Sequence, residues 1–587
     1  MSDVVVPCFR HFGWAALLLS LGLNCFGCAP AASTKNAATK AAKTADEEAE
    51  SRTLRNLQNA LADLQADKLG IESSPEQAVA NLNEWAKGAK RIAEKNGMGW
   101  EPTRPHGLLK SLPKEWLEQV TLEQFVERDA VFLRDCLWAG QIAKLGAGNA
   151  KSDLNLVVNL FEYVVRNIDL IPIGSRDVPL GPFDVMMLGR GTVQERAWVF
   201  AELLRQRNVD SVILTPRRGT RGADEADPFL VGVLFEKDIL LFDPGLGVPL
   251  PGDVAAPKSA MPRQPMTLRQ ATGDPELLAA VARDSGGRFS VTAAMLAASQ
   301  VELVCHPQQL SSRMRHLQLG LTGEQSVIVA DPLEDVADQP GLWSRVARHP
   351  AATWSADDVA IWSFPETTRE AASHPTDEQM KTWINLSMSL AAPQRLMFIR
   401  GDEVSRTMGL GFTKPERTLM KLRMQHVIGH WPEAVQGYLA VQLYDVETPT
   451  TKDLERISSD GKQHQPFAIV STMDKQFLRG LMMQPSHAHI RKLHLLAGDD
   501  ACYWVAQCQF EQNRLRAVVD QCRMYGNQHS SGGWVAANQM LMATALAQQD
   551  KLKEAIRALK EFDEEAPSFA GSRVLTARWQ RLLAAAE

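Results

Sequence analysis

The chain has 587 residues, 45% of them apolar, and its 63 basic and 69 acidic side chains leave a formal net charge of −6. That length exceeds what one hydrophobic core serves and implies roughly three to four domains. The near balance of charge supplies no basic field of the kind nucleic acid requires, so no nucleic-acid partner is expected.

The N-terminus carries the pattern of an export signal over residues 1–31. Arg10 and His11 precede the apolar run WAALLLSLGL, too short to span a bilayer and of the length of a signal-peptide core. The residues after this run fit two exits. In CFGCAPAAS, Cys28 follows Gly27, which resembles a bacterial lipoprotein signal and implies that Cys28 is acylated and anchors the chain to a membrane. Ala29 and Ala31 also form the small pair of an ordinary cleavage site. Either exit implies export, and the acylated one makes the protein a cell-envelope lipoprotein facing the periplasm. Residues 32–50 are rich in Ala, Thr and Lys, lack aromatic residues and shift from basic to acidic. Such a stretch buries no core and reads as a flexible tether, although Ala, Lys and Glu are also strong helix formers.

A helical segment is expected over 51–150. Apolar residues recur at three and four positions in LRNLQNALADLQADKL from Leu54, from Pro75 to Lys95 and from Leu122 to Lys144. Another such helix runs from Leu154 to Leu170, with Asp153 placed as its N-cap. GRGTVQERAWVFAELLRQRNVDSVILTP then gives a turn, a helix, a break at Asn208 and Val209, and a strand from Ser211 to Leu214. PFLVGVLF and DILLFDP form a strand pair joined at Glu236 and Lys237.

This order of helix start, strands and a closing Asp resembles the core of the transglutaminase-like, papain-related family, over residues 151–250. The resemblance implies a thiol at the helix N-terminus, a His opening the first strand of the later pair, and an Asp closing the second. There the helix end lowers the thiol's pKa, the His takes its proton and the Asp orients the imidazole. Carried over with Ala197 as the helical alanine, the nucleophile position falls on Val193 and the base position near Pro228 or Phe229, leaving only Asp243. No catalytic residue is therefore expected, and Val193, Glu195, Arg196 and Asp243 remain as candidate binding residues of a degenerate cleft. Thr192 does not replace the nucleophile, because no histidine lies between Gly107 and Cys305. Glu195 and Arg196 read as first-turn residues, an acid at the positive helix end beside a structural clamp.

Residues 251–400 read as an α/β accessory region, with strands Val301 to Cys305 and Ser326 to Ala330 and a helix from Pro307 carrying Arg313, Arg315 and His316. Cys305 and His306, as neighbours on a strand, point to opposite faces and make no site together. Residues 401–498 read as helical. There His426 and His430, and the run HAHIRKLH, are assigned to solvated faces, because no third ligand at recognisable spacing accompanies them. Past the signal, Cys136, Cys305, Cys502, Cys508 and Cys522 are odd in number and lack CxxC spacing, so neither zinc nor any other cofactor is expected. A Cys508 to Cys522 disulfide across a helical hairpin is conceivable; buried free thiols are the expectation.

Residues 499–587 contain two helix-turn-helix units that align. Ala506, Asn513, Leu515 and Val518 of the first match Ala543, Asp550, Leu552 and Ala555 of the second at an offset of 37 residues, 518 to 555; Cys522 follows in the second helix of the first unit, and Pro567 terminates the second unit. The pattern resembles a tetratricopeptide repeat, with SSGG as the insertion and SFAGSRVLTARWQRLLAAAE as a capping helix. The resemblance implies a face for a protein or peptide partner. The whole reads as an α+β, multidomain, non-catalytic envelope protein that binds or scaffolds. The competing readings are a cysteine-type transferase or protease with relocated catalytic groups, and an entirely helical solenoid. A sheet through Val212, Val231 and Leu241 would exclude the solenoid.

Overall fold

The computed structural model describes residues 34–69, 73–97, 99, 107–172, 178–216, 228–336, 339–391, 396–400, 408–412, 419–442, 487–560 and 562–587. The export signal and Cys28 lie outside the described residues. The chain forms two compact units, Met1–Arg55 and Asn56–Glu587. In the first, the stretch read as a flexible tether is instead helical from Thr34, the start of α1 (Thr34–Asp63), and residues 46–52 are exposed. Ala, Lys and Glu lose little rotamer freedom in a helix, and here that propensity prevails over the absence of a core.

The second unit is α+β. Its centre is a six-stranded sheet in the order β6-β5-β4-β3-β7-β8, built from β3 (Ser211–Pro216), β4 (Leu230–Phe235), β5 (Asp238–Asp243), β6 (Val248–Pro249), β7 (Ser299–Leu303) and β8 (Val359–Ile361). Only the β7–β8 pair is parallel. Val212, Val231 and Leu241 all lie in this sheet, which excludes the helical solenoid. The β4–β5 hairpin turns at Glu236 and Lys237, with Glu236 at φ 48°. The accessory region is no separate layer. β7 and β8 extend the sheet beyond β3, so the sheet crosses the boundary drawn at residue 250.

Three helices cover the sheet and one another: α4 (Glu127–Ala147), α5 (Asp153–Asn167) and α7 (Val193–Arg205). The earlier α2 (Pro75–Lys95) and α3 (Lys114–Thr121), and the intervening α6 (Pro182–Leu188), complete this half. Ser152, rather than Asp153, caps α5, its hydroxyl accepting from the Asn155 amide. Phe161 of α5, Phe200 of α7 and Phe242 of β5 meet with ring centroids 5.0–5.3 Å apart, joining both helices to the sheet. Each such ring, fully buried, contributes about 2–3 kcal/mol through removal from water. The short helices α8 (Leu268–Gly273) and α10 (Ala293–Ala297) pack on β5 and β3, with α9 (Pro275–Asp284) between them in sequence.

α11 (Ser312–Gly320) begins five residues after Pro307, and its Arg313 is wholly buried in a two-bond pair with Asp129 of α4. The strand expected over Ser326 to Ala330 does not form. Side-chain amides take the place of a neighbouring strand: Gln206 bonds both N–H and C=O of Ile328, and Gln318 accepts from Val329 and Ala330. Beyond α12 (Leu342–Ala347), α13 (Phe364–Ser373) and α14 (Asp377–Ser387), a small antiparallel hairpin of β9 (Leu396–Arg400) and β10 (Met408–Phe412) carries the sheet content into the region read as helical. The remaining two strands, β1 (Asp169–Leu170) and β2 (Arg190–Gly191), pair in parallel beside the start of α7.

The C-terminal helices are α15 (Leu419–Val427), α16 (Trp431–Gln442), α17 (His487–Glu511), α18 (Leu515–Gln528), α19 (Val535–Ala547), α20 (Leu552–Ala558) and α21 (Phe569–Ala586). The two aligned units share the backbone of their turn. Asn513 and Asp550 both turn left-handed, at φ 56° and 59°. The bonds Asn513 N to Phe510 O and Arg514 N to Gln509 O recur as Asp550 N to Ala547 O and Lys551 N to Leu546 O. Ala506, Val518, Ala543 and Ala555 are fully buried, as close helix approach requires. α16 also packs along α17, so the array begins earlier than the repeat spacing suggests.

Candidate functional site

The four candidate binding residues converge where α7 starts and β5 ends. Thr192 is the N-cap of α7. Its hydroxyl accepts from Glu195 N at 3.2 Å while the Glu195 carboxylate accepts from Thr192 N at 2.7 Å, a reciprocal capping box. Val193 is therefore the first helical residue, half-buried, with an aliphatic side chain where the family resemblance places a thiol. A Cβ added to Gly245 would lie 3.1 Å from Asp243 Oδ1 and 3.8 Å from Val193 Cγ1, so the helix start and the strand end are neighbours.

The polar groups here bond within the protein, apart from Arg196 Nε, which has no partner among the described residues. Asp243 Oδ1 accepts from Gly245 N at 2.7 Å and Leu246 N at 2.9 Å, closing its own turn. Burial pushes its carboxyl up to about 6, against the pull of those two amides and of Arg196. Arg196 is buried and bridges two loops, donating to Pro244 O at 2.8 Å and to Ile168 O. Burial brings its guanidinium down to about 10. Phe229, at the base position, packs half-buried against Trp362 with centroids 6.4 Å apart.

The histidine that does reach α7 is His306, after the end of β7 and so not on a strand as expected. Its Nε2 lies 2.9 Å from Glu202 Oε1, which also accepts from Trp198 Nε1 at 3.1 Å, while Arg205 holds Glu202 Oε2 at 2.6 Å. A carboxylate only accepts, so Nε2 carries the imidazole proton and Nδ1 presents a lone pair. Burial pushes His306 down to about 4. Glu202 lies below the usual carboxylate range; burial acts upward on it, but Arg205 and His306 outweigh that. This cluster sits on the second and third turns of α7, away from Val193. The sequence offered one hint of it: charged Glu202 and Arg205 inside the apolar run AWVFAELLRQR.

No thiol stands ready among the described residues. Cys136, Cys305, Cys502, Cys508 and Cys522 are free and buried, so no disulfide joins Cys508 to Cys522. Burial raises all five, Cys305 and Cys502 to about 12 and Cys136 and Cys508 well above the ordinary value. His426 is not on a solvated face. It is fully buried, with Nδ1 3.0 Å from Arg423 Nη1, whereas His430 is exposed. The side chains of the HAHIRKLH run lie outside the described residues. No group of three potential metal ligands occurs among the described residues.

The helical array packs on the same region. Arg190 of β2 stacks on Trp534 with its guanidinium 4.0 Å from the ring centroid. Arg166 of α5 makes two bonds to Glu511 of α17, at 2.9 and 3.2 Å. Arg423 of α15 is buried among Met186 O, Asn167 O and Gln507 Oε1, and Tyr163 donates to Val427 O at 2.9 Å. In α21, a side chain at Gly571 would collide with the Leu246 carbonyl, and Arg578 makes two bonds to Asp253. The first helices of the two units, α17 and α19, and the capping helix α21 thus turn toward this chain's own core.

The chain matches no family model, no curated protein and no solved structure in comparison. No described helix is long and apolar enough to cross a membrane.

Proposed function

We propose that this is a non-catalytic binding or scaffold protein of the cell envelope, an exported lipoprotein anchored through Cys28, in which a degenerate transglutaminase-like core supports tetratricopeptide-like repeats. One observation carries the reading: Val193 occupies the first turn of α7 beside an Asp243 whose carboxylate is spent on its own turn. A helix N-terminus and an acid are in place, but neither a nucleophile nor a base stands between them. The order of helix start, antiparallel strands and closing acid supports the family resemblance. The equal turns at Asn513 and Asp550 support the repeat resemblance.

Recognition of a protein or peptide falls to the surface that the array leaves outward. Leu439 of α16 and Leu495 and Leu496 of α17 are exposed there. The test is capture from envelope extract by the mature chain, compared with the same chain carrying Leu439→Glu, Leu495→Glu and Leu496→Glu. A specific partner lost on substitution supports the reading, and an identical set of captured proteins from both removes it. Conversion of Cys28 to Ser is expected to release the protein from the membrane fraction; unchanged fractionation contradicts the anchor.

A further inference from the structure

Beside α7, two facing stretches hold seven buried polar atoms that have no hydrogen-bond partner among the described residues. They are Nδ1 of His306, both amide atoms of Gln308 and of Gln309, Oε2 of Glu366 and Nε of Arg369. His306, Gln308, Gln309 and Glu366 are at most 1% exposed. The two stretches face each other at His306 and Arg369. His306 lies 5.6 Å from the Phe132 ring and 5.5 Å from Trp198, and the Arg369 guanidinium lies 5.9 and 5.4 Å from the same two rings. Glu366 is one turn before Arg369 on α13, and the Leu310 N to His306 O bond closes a single turn around Gln308 and Gln309.

Leaving so many buried groups unpaired would consume a large share of the stability of a folded chain, so they are paired in the folded protein. The set contains three donors, the Gln308 and Gln309 amide nitrogens and Arg369 Nε, and four acceptors, including the His306 lone pair fixed by Glu202. An isolated anion satisfies only the donors and an isolated cation only the acceptors. We propose that the unpartnered polar groups of α13 and of the loop after β7 form a binding site for uncharged hydrogen-bonding molecules, one of which donates to His306 Nδ1. Ordered water and a captured small polar molecule share that chemistry, and both bridge the glutamine amides to α13.

A high-resolution crystal structure of the full chain, with mass spectrometry of what the unfolded protein releases, tests this. Density within hydrogen-bond distance of His306 Nδ1 and of the Gln308 and Gln309 amides is expected. Separate peaks with nothing released identify water, and continuous density with a released compound identifies a polar molecule. Amides bonded to one another or to backbone, with no further density, overturn the proposal. As an independent arm, the Gln308→Leu, Gln309→Leu double variant is expected to melt several degrees lower, because it breaks a bridged network. An unchanged or higher melting temperature means that the amides were unpaired and overturns the site.

Discussion

Asp243 shows how one carboxylate shapes a turn. Its carboxylate stops the β5 strand and turns the chain through two backbone amides, a task that needs an acceptor and no charge. Its folded pKa of about 6 lies above the ordinary 3.8, so ionisation works against the fold. The contribution is most favourable below the unfolded value and is lost as pH rises through about 6. Asp243→Asn keeps the accepting oxygen and removes the charge. Near neutral pH the variant is expected to match or exceed the parent in denaturant unfolding, with the difference shrinking as pH falls toward 4. A variant much weaker at neutral pH contradicts this account. At this scale the sequence is legible where a local rule acts: the Thr192 and Glu195 capping box follows from three-residue spacing. His306 is not legible, because its partner Glu202 lies 104 positions away and only the fold brings them together. His426 departs from its expected solvated face for a related reason, since its neighbours Arg423 and Tyr438 withdraw it from water.

Among elements, buried pairs decide what holds. Asp129 of α4 accepts two bonds from Arg313 of α11, both side chains fully buried. Asp129→Ala strands the guanidinium in the interior and is expected to cost about 3–5 kcal/mol in equilibrium unfolding. A cost below about 1 kcal/mol would mean that the pair is not buried as described. The helical hairpins give a second test. Asp550 is exposed and held at φ 59°, so Asp550→Gly is expected to be neutral or stabilising and Asp550→Val to destabilise by about 1–2 kcal/mol. Equal effects of the two substitutions would contradict the left-handed turn. The repeat alignment and the β4–β5 hairpin are readable because small residues and turn residues recur at fixed spacing. The segment over Ser326 to Ala330 is not, because β-branched residues mark extended backbone without saying whether a strand or a glutamine side chain will pair with it.

In the second unit one hydrophobic core runs from Leu109 to Trp579, through the sheet, α7 and the C-terminal helices alike, and a second joins Leu57 and Leu61 to α2, α4 and α11. Composition and length suggest several domains, but no local pattern reveals that the array closes on the core through Arg190, Arg423 and Gly571. Truncation before Asp499 therefore removes the partners of Arg166, Arg190 and Asp253. The truncated chain is expected to lose cooperative unfolding, measured by calorimetry; a sharp transition like that of the intact chain would show that the core stands alone. Whether any thiol is reactive in the folded protein is settled by alkylating the native protein at neutral pH and reading each cysteine by mass spectrometry. Cys136, Cys305, Cys502, Cys508 and Cys522 are expected to react only after unfolding. Rapid labelling of any one of them in the folded protein would contradict this and point to a relocated nucleophile.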